Sequence, residues 1–562
     1  MREQTSHCIK LSHGIIARAR SPQPSAAQAI QLPQTTTEEP LTVTDPAPRT
    51  LPALVTETAR RHGSQEAITD GEVRLTWREV DDLRRRAARA FIAAGIRKGD
   101  RIAIWAPNIH EWIIAAMGLQ SLGAILVPLN TRFKGHEAAD IIRRSNARLL
   151  FTVSGFLGID YPAMLTSEAL PELERIILLR GASAGLMTLQ DFLATGDAVP
   201  DRELDAMSAQ VQPGDIMDIM FTSGTTGKPK GAMLTHEQNI RGYEQFSSAY
   251  GLRAADPVLV IPPFFHSFGY KAGWLACTIY GARIVPCMTY DPEELIKVID
   301  REKISVIPGP PTIFHGLLGP AARKQYDISS LRAAVTGGAL VPEELVRRMS
   351  TDLGFKVVNV AYGLTECTAL VTQTARDDPP VKIATTVGKT FKDLDVRCVD
   401  EKGHDLPAGQ AGEIVARGYL VMKGYFNDPR GTAAAIDADG FLHTGDVGYF
   451  DAEGYLHITD RIKDMYIVGG FNCYPAEIEN VLMQMPGVAQ ASVIGVPDER
   501  MGELGKAFII RRPGADLSAD QVIAWSREHM ANFKVPRFVE FVDTYPMTAS
   551  GKVLKTELRK RT

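Results

Sequence analysis

Short apolar runs that alternate with helix-forming stretches are the feature that most limits how this chain can fold. Each run has the length of a strand buried inside a sheet, and the stretches between the runs are long enough for helices. Such alternation is typical of α/β folds whose strands are largely parallel. We therefore predict strands at Arg101–Ile104, Ile125–Val127, Leu149–Val153, Ile176–Leu179, Val258–Ile261, Arg283–Pro286, Val306–Pro308 and Ala333–Thr336.

Changes of pattern along the chain predict how it divides into domains. At 562 residues the chain is too long for one hydrophobic core. Residues 388–458 carry short alternating strands with Gly and Asp turns, which indicates a β-rich subdomain within a large N-terminal domain, 46–460. Residues 464–562 predict a small α+β domain. Residues 1–45 are rich in Ser, Thr, Gln and Pro without apolar periodicity, so we predict a disordered extension.

Charge and cysteine content exclude several classes of protein. A net charge of −4 provides no basic surface for nucleic acid. None of the six cysteines forms a Cys-x-x-Cys pair, so the sequence predicts no zinc site and no disulfide framework. A reducing cytoplasm is the expected compartment. The longest apolar region, Trp112 to Leu129, is interrupted by polar residues and glycines, which favours a buried helix and strand over a transmembrane segment.

A run of hydroxyls, glycines and lysines at Thr222–Gly231 predicts a polyphosphate site. Glycine lets backbone amides approach a ligand closely, while hydroxyls donate hydrogen bonds and lysines supply positive charge. The run is not a Walker A loop, because only two residues separate Gly224 from Gly227 and Pro229 prevents a helix from following directly. Strands predicted at Ile216–Phe221 and Gly231–Leu234 would make this loop the tip of a hairpin.

Four further motifs follow in order: Tyr362-Gly-Leu-Thr-Glu366, Thr444-Gly-Asp446, Asp460-Arg-Ile-Lys-Asp464 and Pro546 to Lys552. With the loop at 222–231, their order and spacing resemble the adenylate-forming superfamily over about residues 50–562. That superfamily includes acyl-CoA and aryl-CoA synthetases, luciferases and the adenylation domains of peptide synthetases. The resemblance implies a large domain that binds ATP and the acyl group, and a small mobile C-terminal domain.

The resemblance also implies a reaction in two halves. A carboxylate attacks the α-phosphate of ATP, which gives an acyl-adenylate and pyrophosphate, and a thiol then displaces AMP. Adenylation serves the second half because AMP leaves a carbonyl carbon readily, whereas hydroxide does not. ATP, Mg²⁺ and coenzyme A are the implied cofactor and co-substrates, and a small carboxylic acid is the other substrate.

By position in the motifs, the resemblance assigns roles around the nucleotide. Mg²⁺ prefers oxygen ligands and substrate phosphates, so Glu366 with Thr226 would hold it. Tyr362 would lie on the adenine, and Asp446 and Arg461 beside the ribose. The other residues assigned to the nucleotide or its phosphates are Thr222, Ser223, Gly224, Thr225, Lys230, Gly338, Ala339 and Thr365.

The resemblance implies that catalysis is shared between the two domains. Lys552 would contact both the α-phosphate and the attacking carboxylate, and would offset their repulsion in a dry site. His266 would orient the carboxylate and gate the thiol tunnel. Rotation about a hinge at residues 461–463, centred on Lys463, would then withdraw Lys552. The same rotation would bring in Gly469 and Gly470, where the narrow pantetheine arm passes close to the backbone.

The acyl pocket is expected at Phe265, Phe268, Lys271, Gly309 and Gly337. Lys271 is the unusual member: it either meets a polar group of the substrate or lies on a helix surface. Two segments, 264–271 and 465–472, resemble bacterial ligases for bulky cyclic propanoates, such as steroid-ring degradation intermediates and terpenoid acids. Medium-chain and long-chain fatty acids remain open as substrates.

Coenzyme A is the predicted thiol acceptor. The lysine at the hinge and the Gly-Gly-Phe-Asn segment that follows resemble CoA ligases more than peptide-synthetase modules, and no carrier domain follows Thr562. Two alternatives remain: a stand-alone adenylating enzyme that loads a carrier protein, and a non-catalytic or luciferase-like member. A homodimer is one candidate assembly.

Overall fold

The N-terminal third of the chain alternates strands and helices. The computed structural model describes residues 48–222, 229–319, 325–338, 341–461, 464–468, 471–473, 475–498, 501–530, 532–547 and 553–561. The first helices are Leu51–His62 (α1), Trp77–Ala93 (α2), His110–Gln120 (α3), Gly135–Ser145 (α4), Leu189–Thr195 (α5) and Asp201–Ser208 (α6), with a 3-10 turn at Ala163–Leu165. The first strands are Glu66–Asp70 (β1), Val73–Thr76 (β2), Arg101–Trp105 (β3), Ile125–Pro128 (β4), Ala147–Phe156 (β5), Ile159–Asp160 (β6), Arg175–Arg180 (β7) and Met187–Thr188 (β8).

The middle of the chain continues the same alternation. Its strands are Ile216–Thr222 (β9), Lys230–Thr235 (β10), Pro257–Val260 (β11), Arg283–Pro286 (β12), Val306–Pro308 (β13), Ala333–Gly337 (β14), Val357–Tyr362 (β15), Thr372–Gln373 (β16) and Lys389–Thr390 (β17). Its helices are His236–Ala249 (α7), Ser267–Gly269 (α8), Ala276–Tyr280 (α9), Pro292–Glu302 (α10), Pro311–Leu318 (α11), Glu343–Thr351 (α12) and Pro380–Thr385 (α13). A π-helical turn at Tyr270–Leu275 joins α8 to α9, and a 3-10 turn lies at Thr365–Cys367.

The remaining elements form two smaller sheets. The first has strands Leu394–Val399 (β18), Gly412–Gly418 (β19), Leu442–Phe450 (β20) and Leu456–Arg461 (β21), with helix Pro429–Ala435 (α14). The second has strands Tyr466–Val468 (β22), Phe471–Cys473 (β23), Val488–Asp498 (β24), Gly502–Arg511 (β25) and Phe538–Phe541 (β26). Its helices are Pro475–Leu482 (α15), Ala519–His529 (α16) and Lys555–Arg559 (α17).

Two large sheets carry the elements that surround the candidate site. The nine-stranded sheet has the order β17-β16-β15-β14-β13-β11-β12-β1-β2, and its central strands β15 to β1 run parallel. The eight-stranded sheet has the order β10-β9-β4-β3-β5-β7-β8, with β6 beside β5. Its interior strands are also parallel, as the apolar runs predicted. The predicted fold class, a large α/β domain with a β-rich subdomain and a small α+β domain, is confirmed.

The apolar region from Trp112 to Leu129 is a buried helix followed by a buried strand, as predicted. Every residue of α3 from Trp112 to Gln120 is buried, and so are all four residues of β4. Among the described residues, no helix is both long enough and apolar enough to cross a membrane. The predicted extension, residues 1–45, lies outside the described residues. The domain boundaries at 460 and 464 and the motion of the C-terminal domain stay predictions.

Candidate active site

The phosphate loop predicted at 222–231 lies at the tip of a hairpin. Strands β9 and β10 pair antiparallel, and Thr222 lies opposite Lys230 at the end of the ladder. The Thr222 hydroxyl donates to Oε1 of Glu366 at 3.1 Å. Glu366 lies in the 3-10 turn after β15, and the backbone N–H of Met422 donates to its carbonyl at 2.8 Å. The hairpin end and the predicted metal ligand are therefore neighbours.

Tyr425, which the sequence did not single out, completes this cluster. Its hydroxyl donates to the same Oε1 of Glu366 at 2.9 Å, and the Lys230 ammonium lies 4.9 Å from the centre of its ring. Tyr425 is held against β10 by a bridge to Ala232. Burial, and then the adjacent Glu366 carboxylate, raise the pKa of Tyr425 well above its ordinary value, so the hydroxyl remains a donor.

The donor set around Glu366 fits a hard cation. Both hydroxyl donors, from Thr222 and Tyr425, bind Oε1. Among the described residues no hydrogen bond to Oε2 is seen, which leaves that oxygen for a further ligand. A carboxylate is an oxygen ligand that Mg²⁺ accepts alongside substrate phosphates. Thr226, the other predicted ligand, lies outside the described residues.

Tyr362 and Asp446, predicted to contact adenine and ribose, touch each other. The Tyr362 hydroxyl donates to Oδ2 of Asp446 at 2.6 Å, and the two residues are 9% and 4% exposed. The Asp446 turn is fixed locally, because its N–H donates to the Thr444 hydroxyl at 3.1 Å and the Gly445 N–H donates to Glu413 at 3.2 Å. In the strand ladder, Arg461 lies directly opposite Asp446.

The His266 segment is fixed by a buried asparagine that the sequence did not reveal. The Asn108 amide donates to the carbonyls of Val260 and Pro262, and its oxygen accepts from the Phe264 N–H at 2.7 Å. His266 then caps α8, where its Nδ1 accepts from a backbone N–H at 3.2 Å. His266 and the predicted pocket residues Phe265 and Phe268 are half-buried.

At this end of the sheet, two glycines lie so close to backbone carbonyl oxygens that a side chain would not fit. A Cβ on Gly269 would lie 2.1 Å from the Pro262 carbonyl oxygen, and one on Gly337 would lie 2.1 Å from the Ala361 carbonyl oxygen. Both distances are too short for any side chain, so glycine is required at these two positions.

The predicted site residues gather at one edge of the nine-stranded sheet. His266 follows β11 and Gly309 follows β13. Gly337 ends β14, Gly338 comes directly after it, and Tyr362 ends β15. These strands are neighbours and parallel, so their carboxyl ends meet. Ligands of open α/β sheets bind at this edge. Thr365 lies in the adjoining 3-10 turn and is half-buried.

Lys271 lies in the protein interior, so the alternative that placed it on a helix surface is wrong. Its side chain is fully buried, and its Nζ lies 3.1 Å from Oδ1 of Asp218, which is also fully buried. Burial raises the pKa of Asp218 and lowers that of Lys271, and each charge opposes the effect of burial on the other. A role of Lys271 in the acyl pocket stays a prediction.

Several predicted residues lie outside the described part of the chain, and their roles stay predictions. They are Ser223, Gly224, Thr225, Thr226, Ala339, Lys463, Gly469, Gly470 and Lys552.

The amino-acid sequence matches known protein families. Residues 55–426 match the AMP-binding enzyme family, and residues 477–552 match the AMP-binding enzyme C-terminal domain. The chain belongs to the AMP-binding enzyme family. It is similar to the anthranilate CoA ligase AuaEII in complex with anthranoyl-AMP, with a TM-score of 0.82 and 26% identity over 91% of this chain and 97% of that one.

Two relatives are similar over nearly their whole length. Each is named 3-[(3aS,4S,7aS)-7a-methyl-1,5-dioxo-octahydro-1H-inden-4-yl]propanoyl:CoA ligase. The one from Rhodococcus jostii (strain RHA1) is 46% identical, and the one from Mycobacterium tuberculosis (strain ATCC 25618 / H37Rv) is 47% identical. In both cases the match covers 91% of this chain and 99% of the relative. The predicted class, an AMP-forming acyl-CoA ligase, is confirmed, and ligases of this class use ATP and CoA.

Proposed function

We propose that this ligase activates a bulky cyclic propanoic acid and transfers the acyl group to coenzyme A. The proposal rests on two ligases that are named for a bicyclic dioxo propanoate. This chain is 46% and 47% identical to them, and in each case the match covers 91% of the chain. The His266 segment supports the proposal, because Phe265 and Phe268 flank His266 in sequence and are half-buried in the segment that follows strand β11. A bulky ring system suits an apolar, aromatic pocket, which these side chains would line.

In the first half-reaction the acid attacks the α-phosphate of ATP. The loop at 222–231 would bind the β- and γ-phosphates, with Lys230 as a fixed cation at its end. Glu366 and Thr226 would hold Mg²⁺, which would neutralise charge on the departing pyrophosphate. Tyr362 would lie on the adenine, and Asp446 would accept hydrogen bonds from the ribose hydroxyls.

Carboxylate attack brings two anions together, and Lys552 would offset their repulsion. The C-terminal domain would then turn about Lys463, so that Lys552 leaves and Gly469 and Gly470 line the path of the pantetheine arm. His266 would orient the carboxylate first and admit the thiol afterwards. We place the enzyme in a reducing cytoplasm, which the free thiols of the five described cysteines support.

The test is a panel of carboxylic acids assayed by pyrophosphate release and by CoA thioester formation. The panel contains bicyclic and steroid-derived propanoates, terpenoid acids, aromatic acids, and fatty acids of medium and long chain. We expect the highest kcat/KM for a bicyclic propanoate. A higher value for a fatty acid would overturn the substrate class. A holo-carrier protein that replaces CoA as the better acceptor would overturn the second half-reaction.

A further inference from the structure

A buried ion pair joins the two sides of the candidate site. Asp218 lies on β9, four residues before Thr222, and Lys271 lies in the π-helical turn, five residues after His266. Neither side chain is exposed, and the ammonium lies 3.1 Å from the carboxylate. Removing two charges from water costs free energy that their attraction often fails to recover. A contribution to stability is therefore a weak explanation for this pair.

The pair belongs to a buried network that spans four elements. Oδ2 of Asp218 accepts from the Asn239 amide on α7 at 2.8 Å, and the Tyr270 hydroxyl lies 3.4 Å from the same oxygen. The Gln120 amide, at the end of α3, donates to the Tyr270 hydroxyl at 2.8 Å. All of these side chains are fully buried. The network therefore gives Asp218 one orientation, and the position of Lys271 follows from it.

The π-helical turn allows this arrangement. Tyr270 and Lys271 are consecutive, yet both reach Asp218. On the other side, a Cβ on Gly273 would lie 2.5 Å from Cγ1 of Val260, at the end of β11. The turn is therefore fitted between the eight-stranded sheet at Asp218 and the nine-stranded sheet at Val260. Isolated π-helical turns occur frequently at functional sites.

We propose that the Asp218–Lys271 pair is a positioning device that fixes His266 and the acyl side of the site relative to the phosphate hairpin, an inference that rests on the proposed function. His266 caps the short helix that runs directly into the π-helical turn, so a shift at Lys271 moves the imidazole. Asp218 lies on the strand that ends at the phosphate hairpin. In some proteins buried ionic groups fix one arrangement of the packed elements, and that is the role proposed for this pair.

Three variants separate positioning from stability. Lys271→Met and Asp218→Asn each leave one buried charge without its counter-charge. The double variant Asp218→Leu with Lys271→Met removes both charges, a replacement that is often neutral for stability. Asn239 still donates to the Thr235 carbonyl, and the Tyr270 hydroxyl still accepts from the Gln120 amide. Arg332→Met is the matched control. It removes a partly buried ion pair with Asp256 at the opposite, amino-terminal edge of the same nine-stranded sheet.

The measurements are the thermal midpoint of unfolding, KM for the acid and KM for ATP. The acid is the one from the panel that the wild type activates best. We expect the double variant to keep a near-wild-type midpoint, yet to show a KM for the acid at least about tenfold higher, because small displacements of a positioning group have effects of this size. KM for ATP should change less than about twofold, and Arg332→Met should leave KM for the acid unchanged.

Two outcomes overturn the inference. In the first, the double variant folds and has the wild-type KM for the acid, which makes the pair structural only. In the second, the double variant stays unfolded while the control folds, which makes the pair essential for stability. Failure of the proposed function would appear separately, as a wild-type enzyme that activates no acid in the panel.

Discussion

The hydroxyl of Tyr362 donates a hydrogen bond of 2.6 Å to the carboxylate of Asp446. Tyr362 ends a strand of the nine-stranded sheet, and Asp446 belongs to the four-stranded sheet. The bond therefore joins two separate layers of the molecule. It also fixes the Asp446 carboxylate, which we propose binds ribose, relative to the Tyr362 ring, which we propose lies on adenine. Both groups would therefore be in position before the nucleotide binds.

Tyr362→Phe should weaken ATP binding while the ring remains for the base. Hydrogen bonds to charged groups contribute about 1.5–3 kcal/mol, so we expect KM for ATP to rise about tenfold or more. KM for the acid should change little. The control is Tyr161→Phe, which removes a hydroxyl bonded to the Thr131 carbonyl. Equal effects of the two variants on KM for ATP would contradict the assignment.

Tyr425→Phe tests the carboxylate that we propose as the metal ligand. The substitution removes the hydroxyl bonded to Glu366 but keeps the ring beside the Lys230 ammonium. We expect the Mg²⁺ concentration needed for half-maximal pyrophosphate release to rise about tenfold or more, because a hydrogen bond to a charged group contributes about 1.5–3 kcal/mol. Calorimetric titration of the variant with Mg²⁺ and a non-hydrolysable ATP analogue should show the same shift. An unchanged Mg²⁺ dependence would remove Tyr425 from this role.

The sequence predicted those features that depend on neighbouring residues. The Thr-x-x-Glu and Thr-x-x-Gln spacings that begin at Thr76 and Thr235 form capping boxes in the structure. The predicted strands Arg283–Pro286 and Val306–Pro308 have the predicted bounds. The hairpin β9–β10 also formed around the phosphate loop as expected. These signals are local, because a cap or a strand depends on residues a few positions apart.

The supporting contacts of the site could not be predicted in the same way. Tyr425 and Glu366 are 59 residues apart, and the amide of Asn108 holds the N–H of Phe264 across 156 residues. No spacing rule joins such pairs, because their contact depends on how the sheets pack. The contact between Lys271 and Asp218 escaped prediction for the same reason, because 53 residues separate them.

The pH dependence of stability should reveal the His443–Glu413 pair beside the Asp446 turn. Partial burial lowers the pKa of His443, but the carboxylates of Glu413, at 2.8 Å, and of Asp437 outweigh it and raise that pKa. A raised folded-state pKa means that the protonated form favours the fold. Its contribution is complete below the unfolded pKa of about 6.5, and it is lost as pH rises through the folded pKa.

The measurement is the difference in thermal midpoint between the wild type and His443→Gln across pH. We expect the wild type to gain most from His443 at about pH 5.5 and least at about pH 9. Asp437→Asn should reduce the pH dependence and leave the turn at Asp446 intact. A midpoint difference that is constant with pH, or that grows as pH rises, would contradict a raised pKa of His443 in the folded protein.

Lys552→Ala should separate the two half-reactions. Adenylate formation from acid and ATP should fall by about a thousandfold or more, as for loss of a group that stabilises transition-state charge. Thioester formation from supplied acyl-adenylate and CoA should stay within about threefold of wild type, because the proposed rotation withdraws Lys552 before the thiol attacks. An equal loss in both assays would contradict the proposal that the C-terminal domain changes position between half-reactions.

The central claim is that the carboxylate of the substrate attacks the α-phosphate of ATP. It is tested most directly by a single turnover with acid labelled with ¹⁸O in both carboxylate oxygens, followed by mass spectrometry of all products. We predict one ¹⁸O atom in AMP, one retained in the CoA thioester and none in pyrophosphate. Label in inorganic phosphate together with formation of ADP, or AMP without label, would contradict the claim.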